Sequence, residues 1–470
     1  TMDEGQHWTN VSPKMPEWST VDLIEPSPHD ANTAYVAIDR HKLDDVKPYI
    51  FKTTDAGKTW SAITTGIPEG AIVHAVREDP KRRGLLYAGT ELGMFVSFDD
   101  GAHWQPLQLN LPVSPIHDLV VKDDDLVVAT HGRSFWILDD ITPLRQALDA
   151  EKDNAFWLYH PAPAYRIDND SFQGTPLPPE EPTAENPPAG AILDYFLKSS
   201  ASTVSLEIFD AQQNLVHKFS SEDKHPEKRP PLPIAERWFP KPEVLGTNPG
   251  LQRFVWDLSW SSSGGQSVDE ESEFRNPRGP KVVPGIYTVR LTVDGKAQTQ
   301  PLEVVMDPRS AATPEILHQQ LQLGRQIFAE TMEARRALAE IASLRKQLAD
   351  LQQKVGKKDS AIEPALADAQ TEISKIETRP GAVGESSGLQ DAFADMAAAL
   401  RVVESGDRAV PSQAVAVYKE SSQRVKAAIA EWNEFKTTKL QRLNQKLSEA
   451  GDAPIAISEI EQEVQFLMSR

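Results

Sequence analysis

Three times in its first 104 residues the chain repeats the pattern S/T-x-D-x-G-x-x-W. The copies run Thr1 to Trp8, Thr53 to Trp60 and Ser97 to Trp104, with Asp3, Asp55 and Asp99 at the acidic position. Each copy suits a tight hairpin. The Asp carboxylate can accept turn N–H bonds, the Gly supplies a positive φ, and the Trp re-enters the sheet as a large packing group. The tryptophans are 52 and 44 residues apart, so the repeating unit is a supersecondary one with room for four short strands.

Apolar or alternating runs bounded by Gly, Pro or Asp fill the intervals, as strands do. Val21–Ile24, Ala34–Ile38 and Tyr49–Thr53 are expected as strands of one unit. Ile72–Arg77, Leu85–Ala88, Met94–Ser97 and Trp104–Leu107 belong to the next. His117–Val121, Leu126–Ala129 and Phe135–Leu138 make a third, with Phe156–Tyr159 as its outer strand after a short helix near Pro143–Leu148. Units of this length match the blades of a β-propeller. Three blades do not close a ring, which takes at least about four. The chain also opens directly on a motif, at Thr1. It therefore reads as the C-terminal part of a larger protein, its other blades supplied by another chain or a cleaved N-terminal segment.

The motif resembles the Asp-box (BNR) repeat of sialidase-like, sortilin-like and xyloglucanase-like β-propellers. Glu25-Pro26-Ser27-Pro28-His29-Asp30, Asp39-Arg40-His41-Lys42-Leu43-Asp44-Asp45 and the stretch from Thr130 to Asp140 resemble a narrower group. These are large exported bacterial proteins of the BNR-repeat glycosyl hydrolase or sortilin-like kind, and the resemblance extends over most of the chain. It implies a structural role in the turns for Asp3, Gly5, Trp8, Asp55, Gly57, Trp60, Asp99, Gly101 and Trp104. It also implies that ligands bind on the face opposite those turns, by analogy of fold. That face receives the candidates Trp18, Arg40, His41, Asp44, Asp45, Glu91, His131 and Arg133. Arginine can hold an anionic or carbonyl-bearing ligand bidentately, and an indole can stack on a sugar or a peptide side chain. The blander alternative is that Asp44 and Asp45 solvate a loop while His131 and Arg133 brace the sheet.

Catalysis has weaker support. Glycoside hydrolysis takes two carboxyl groups about 5–10 Å apart. Glu91 with Asp44 or Asp45 is an available pair, but no spacing specifies it. Arg40, Arg77 and Arg133 can be counted as a sialidase-like arginine cluster, yet no matching tyrosine constellation accompanies them. There is no G-x-S-x-G elbow, H-E-x-x-H motif or Walker loop. The expected role is recognition or assembly outside the cell or at its envelope, with a polysaccharide or protein ligand. A sortilin-like peptide receptor differs from this mainly in its ligand. The alternative is a carbohydrate-active hydrolase whose catalytic residues lie at least partly in blades outside this chain. No catalytic residue is assigned, and no metal or cofactor is expected.

Composition divides the rest. Of 36 prolines, 31 precede residue 309, as do nine of ten tryptophans, so strands and turns give way to helices there. The expected organisation is propeller blades over 1–165, a Pro-rich linker over 166–189, an Ig-like sandwich over 190–308 and an α-helical bundle over 309–470. Phe254-Val255-Trp256-Asp257-Leu258 and Pro284-Gly285-Ile286-Tyr287-Thr288-Val289 resemble FlgD-type Ig-like modules of exported bacterial proteins, which makes Trp256 and Tyr287 core residues. Leu338, Ile341, Leu344, Leu348, Leu351 and Val355 recur at helical spacing, as do Leu389, Phe393, Met396, Leu400 and Val403, and later Val425, Ile429, Trp432, Leu443 and Leu447. A bundle of three to four antiparallel helices fits them, with pairing to a second copy of the chain as an alternative. The net charge of −20 argues against nucleic acid as partner, and no run approaches the length of a membrane span.

Overall fold

In the computed structural model the described residues are 1, 3–12, 15–150, 155–167, 184, 186–223, 244–260, 279–355, 362–378 and 388–457. They form several β-sheets followed by a helical region. Two compact units result. The first comprises Thr1–Ala162, Ile192–Ser200 and Asn248–Arg253; the second comprises Pro163–Ala191, Ala201–Thr247 and Phe254–Arg470.

Residues 20–138 of the first unit form three antiparallel meanders in chain order. Strands β1 (Thr20–Pro26), β2 (Ala34–Asp39), β3 (Ile50–Thr53) and β4 (Ser61–Ala62) make the first sheet. The second has β5 (Val73–Glu78), β6 (Leu86–Thr90), β7 (Gly93–Ser97) and β8 (Gln105–Pro106). The third has three strands, β9 (Ile116–Lys122), β10 (Asp125–Thr130) and β11 (Phe135–Leu138). Helix α1 (Thr142–Ala150) follows.

The second sheet is buried on both faces. Val73, Val76, Leu86, Ala88 and Phe95 pack with Tyr35, Ala37 and Ile50 of the first sheet. Ala75, Tyr87, Met94 and Val96 pack with Ile116, Leu119, Leu126 and Val128 of the third. A strand covered on both sides reads as a continuous apolar run instead of an alternation, as β6 and β7 do. Gly89 of β6 permits the second packing. A Cβ there would lie 2.7 Å from Cγ2 of Ile116, so β9 approaches as closely as it does because position 89 has no side chain.

The three repeated segments fold alike. In each, a hydroxyl accepts the Gly N–H four residues later: Thr1 at 2.7 Å, Thr53 at 2.9 Å and Ser97 at 2.9 Å. In each, the Asp Oδ1 accepts the N–H four residues on, from His7, Thr59 and His103 at 2.9, 2.8 and 2.8 Å. The residue before the Gly is left-handed every time, at φ 56°, 57° and 62° for Glu4, Ala56 and Asp100. In the second and third copies the Trp then reaches back to the preceding segment. Trp60 donates its indole N–H to Val11 O at 2.8 Å, and Trp104 donates to Ile63 O at 2.7 Å. Trp8 turns back on its own segment, to Gly5 O at 3.0 Å.

One strand assignment is corrected. Segment β12 (Phe156–Leu158) does not complete the third sheet but pairs antiparallel with β14 (Ala191–Leu197), Phe156 opposite Leu197. Phe156 and Leu158 are buried there, beside a longer strand whose Asp194 O accepts the N–H of Tyr159 at 3.1 Å. Strand β17 (Gly250–Trp256) adds to the other side of β14.

The second unit holds a five-stranded sheet ordered β13-β19-β18-β15-β16, from β13 (Ala164–Arg166), β15 (Val204–Phe209), β16 (Leu215–Ser220), β18 (Gly285–Val293) and β19 (Lys296–Met306). Trp256 is fully buried and meets the nearly buried Tyr287 edge-on at 5.9 Å, as core residues do. Among the described residues five α-helices follow, more than the three to four expected: α2 (Pro314–Val355), α3 (Glu363–Thr378), α4 (Leu389–Val403), α5 (Ser412–Phe435) and α6 (Gln441–Glu449). Ile341, Leu344 and Leu348 share one apolar core with Leu366, Met396, Leu400, Trp432 and Leu447, so the helical stripes face one another. Residues 168–183 and 185 of the Pro-rich segment, 224–243 of the polar insertion and 379–387 of the loop before α4 lie outside the described residues. Among the described residues no helix is long and apolar enough to cross a membrane.

Two predictions follow from the turn chemistry. Asp99→Ala should lower stability by about 1–3 kcal/mol, read by chemical denaturation, because it removes the acceptor of three turn bonds, from the Ser97 hydroxyl and from the backbone and ring of His103. The Thr59 backbone N–H and then the Thr59 hydroxyl hold the Asp55 carboxyl down to about 2. That lies below its unfolded value of about 4, so the ionised form stabilises the fold above that pH and loses the advantage on acidification. The difference in Tm between wild type and Asp55→Asn should therefore shrink as pH falls from about 5 towards 2; a difference independent of pH would contradict this.

Candidate functional site

The strand registers sort the loops by end. Thr20 pairs with Asp39, Val73 with Thr90 and Ile116 with Thr130. The loops after β2, β6 and β10 therefore share one end with the chain segments that enter β1, β5 and β9. Pro26 pairs with Ala34 and Ala34 with Thr53, so the Asp55 turn lies at the other end of its sheet. The same holds for Asp99, because Glu78 pairs with Leu86 and Leu86 with Ser97.

Of the candidates, Trp18 is wide open, 85% exposed at φ 63°. Arg40 is committed to its own loop, with Nε donating to Asp45 Oδ2 at 3.0 Å and Nη1 to Glu17 O at 2.9 Å. Asp45 also accepts from Tyr49 Oη at 2.7 Å, and that hydroxyl, with Arg40, holds its carboxyl below the ordinary range. His41 bonds Asp39 through both its backbone N–H and its ring. Burial would raise the Asp39 carboxyl, but these two bonds outweigh it and hold it low. Asp44 is exposed and left-handed, at φ 55°. Arg133 is exposed, with no ion-pair partner among the described residues, on a turn pinned by Thr130 Oγ1 accepting its N–H at 3.1 Å. Thus Arg40 and Asp45 brace a loop, whereas Trp18 and Arg133 face solvent.

Glu91 and His131 belong to a cluster whose other members carry no local motif. His74 of β5 points Nε2 at Glu91 Oε1, 2.8 Å away, and Nδ1 at Asp22 Oδ2 of β1, 3.1 Å away. The ring of His117, on β9, lies 4.9 Å from that of His74 and 4.8 Å from that of His131. Asp22, His74 and His117 occupy equivalent places near the starts of the first strands of three successive sheets. Their spacings of 52 and 43 residues nearly reproduce the 52 and 44 of the tryptophans. Aligning the repeats on their tryptophans would have found them.

A second polar row crosses the same strands three residues further along β5. Arg77 of β5 donates Nη1 to Glu25 Oε2 of β1 at 2.7 Å, Nη2 to Asp118 Oδ1 of β9 at 3.0 Å and Nε to Leu119 O at 2.8 Å. Arg77 is thereby spent on joining three sheets, and Arg40 on its loop, so only Arg133 of the three arginines is open. Arg77→Met should destabilise the fold by about 1.5–3 kcal/mol, the scale of hydrogen bonds to a charged group, as read by urea denaturation. A loss below about 0.5 kcal/mol would show that the row does not hold the sheets together.

No family model and no curated protein matches this chain. Among solved structures, a GH74 enzyme of Niastella koreensis is similar at 16% identity, over 38% of this chain and 28% of its own, with a TM-score of 0.22. YCF48 bound to D1 peptide is similar at 12% identity over 42% of this chain and 52% of its own, with a TM-score of 0.20. An ancestral GH74 enzyme shows 12% identity over 43% and 27%, with a TM-score of 0.18. The chain thus spans about a quarter to a half of the length of these structures, and overlaps so partial carry neither activity nor ligand across.

Proposed function

We propose that this chain is a recognition module whose three meanders are successive blades of a β-propeller, binding a polysaccharide or protein ligand at the end that carries Trp18, His41, Glu91, His131 and Arg133. The observation that carries the reading is the register. It brings loops from three sheets to one end and leaves an indole and a guanidinium there open to solvent. Loop groups presented by a rigid sheet are the usual carriers of binding.

The propeller continues on the far face of the third sheet. Val120, Val127 and Ile137 lie side by side across β9, β10 and β11, next to Phe135, and Val120, Ile137 and Phe135 are 49%, 57% and 74% exposed. Rows of this kind are what bury the second sheet against its neighbours. The occupant is a further four-stranded blade, from another chain or a separated segment of the same precursor. In this reading the protein is exported, the strands between 190 and 308 are an Ig-like FlgD-type module, and the helices offer a surface for self-association.

A glycan and peptide array tests the site. Arg133→Ala should weaken the ligand found by about 1–3 kcal/mol at unchanged Tm, the scale of a charge-assisted hydrogen bond. Unchanged affinity with a lowered Tm would assign Arg133 to the scaffold. Turnover of xyloglucan or a sialoside that Glu91→Gln abolishes would favour a hydrolase instead.

A further inference from the structure

We propose that His74, Glu91 and His117 form a binding site for a divalent transition-metal ion, with zinc the natural occupant. Each offers one ligand atom, and these atoms all lie within 4.8 Å of one another. On a tetrahedral zinc, with bonds of about 2.0–2.2 Å, ligand atoms sit about 3.3–3.5 Å apart. Small side-chain rotations would bring the three to that spacing. Two imidazoles and a carboxylate suit zinc and its first-row neighbours, and poorly suit calcium or magnesium, which take oxygen ligands.

Three features make this more than a crowd of polar side chains. The first is the environment of His74, whose ring lies between two carboxylates. With Nδ1–H donated to Asp22, a neutral ring presents the Nε2 lone pair to Glu91, and two acceptors then face each other. The contact is favourable only with a proton or a metal cation between them. The second is the orienting carboxylate. Metal-bound histidines characteristically donate their other N–H to such a group, which fixes the tautomer and strengthens the ligand. Asp22 stands where that partner belongs.

The third is rigidity. His74 lies between Val73 and Ala75, both fully buried, and His117 follows the fully buried Ile116. Glu91 is fixed by its backbone N–H on Ile72 O at 2.9 Å. The backbone is thus preorganised, while Glu91, with its side chain 35% exposed, keeps room to rotate. Three protein ligands leave a fourth position for water or for a donor atom of a ligand, as in zinc sites that do chemistry or capture a partner. The ion also neutralises part of a carboxylate-rich surface between three sheets. The inference is independent of which macromolecule the face binds.

The test is zinc chloride titrated into the metal-stripped 470-residue chain by calorimetry, with cobalt(II) absorption as a second readout. The expected result is one saturable site in the wild type, weakened at least tenfold in His74→Ala and in His117→Ala. Asp22→Asn should weaken binding roughly 10–100-fold, as loss of an orienting partner does. His103→Ala, at the opposite end of the sheets, should bind as wild type does. Circular dichroism and Tm confirm that each variant is folded. Absence of a saturable site at millimolar zinc, or equal affinity in wild type and both histidine variants, would overturn the proposal.

Discussion

The tryptophans of the second and third turns, Trp60 and Trp104, make the interaction on which the first unit depends. A stack of antiparallel sheets needs something to set the spacing and angle from one to the next, because apolar faces alone are non-directional. Here Trp104 crosses from its own repeat to the preceding one, giving its indole N–H to Ile63 O and its backbone N–H to Thr65 O at 2.8 Å. Gly66 makes room for it, since a Cβ there would stand 2.2 Å from Trp104 O. Trp60 likewise gives its indole N–H to Val11 O. The aspartate and the hydroxyl of the motif hold the turn so that the indole points the right way.

With the turns joined at one end, the first strands of the sheets come side by side at their centre. That is where the polar rows lie. The Arg77 row ties Glu25, Asp118 and Leu119 together, and the His74 row gathers two carboxylates and two further histidines. A structural clamp and a candidate binding site thus occupy neighbouring positions on the same strands. Apolar neighbours on the strand fix the backbone, and the polar side chains emerge from it at set positions.

Much of the strand pattern is legible in the sequence because each run is bounded by Gly, Pro or Asp and repeats with the tryptophan period. Trp256 and the helical stripes are legible for a similar reason, since burial imposes a period. His74 and His117 are not. His74 stands among Ile, Val and Ala and His117 between Ile116 and Asp118, so neither carries a local motif, and their partners lie 14 to 52 residues away, some in the same repeat and some in another. Only the alignment of one repeat on another exposes them. Segment β12 misleads for the opposite reason: its local pattern is that of an outer strand, but β14 offers a longer buried ladder, and tertiary pairing overrides local preference. Arg40 and Asp45 read as open ligands because loop charges usually face water, yet they bond each other.

The central claim is that these three sheets are part of a propeller that continues beyond them. It is tested most directly by a cryo-electron microscopy map of the protein in the assembled form the cell makes. The account predicts further four-stranded sheets around the axis, the nearest packed on Val120, Val127, Phe135 and Ile137. A map in which that face lies in solvent, or is covered by the helices of the same chain, would contradict it.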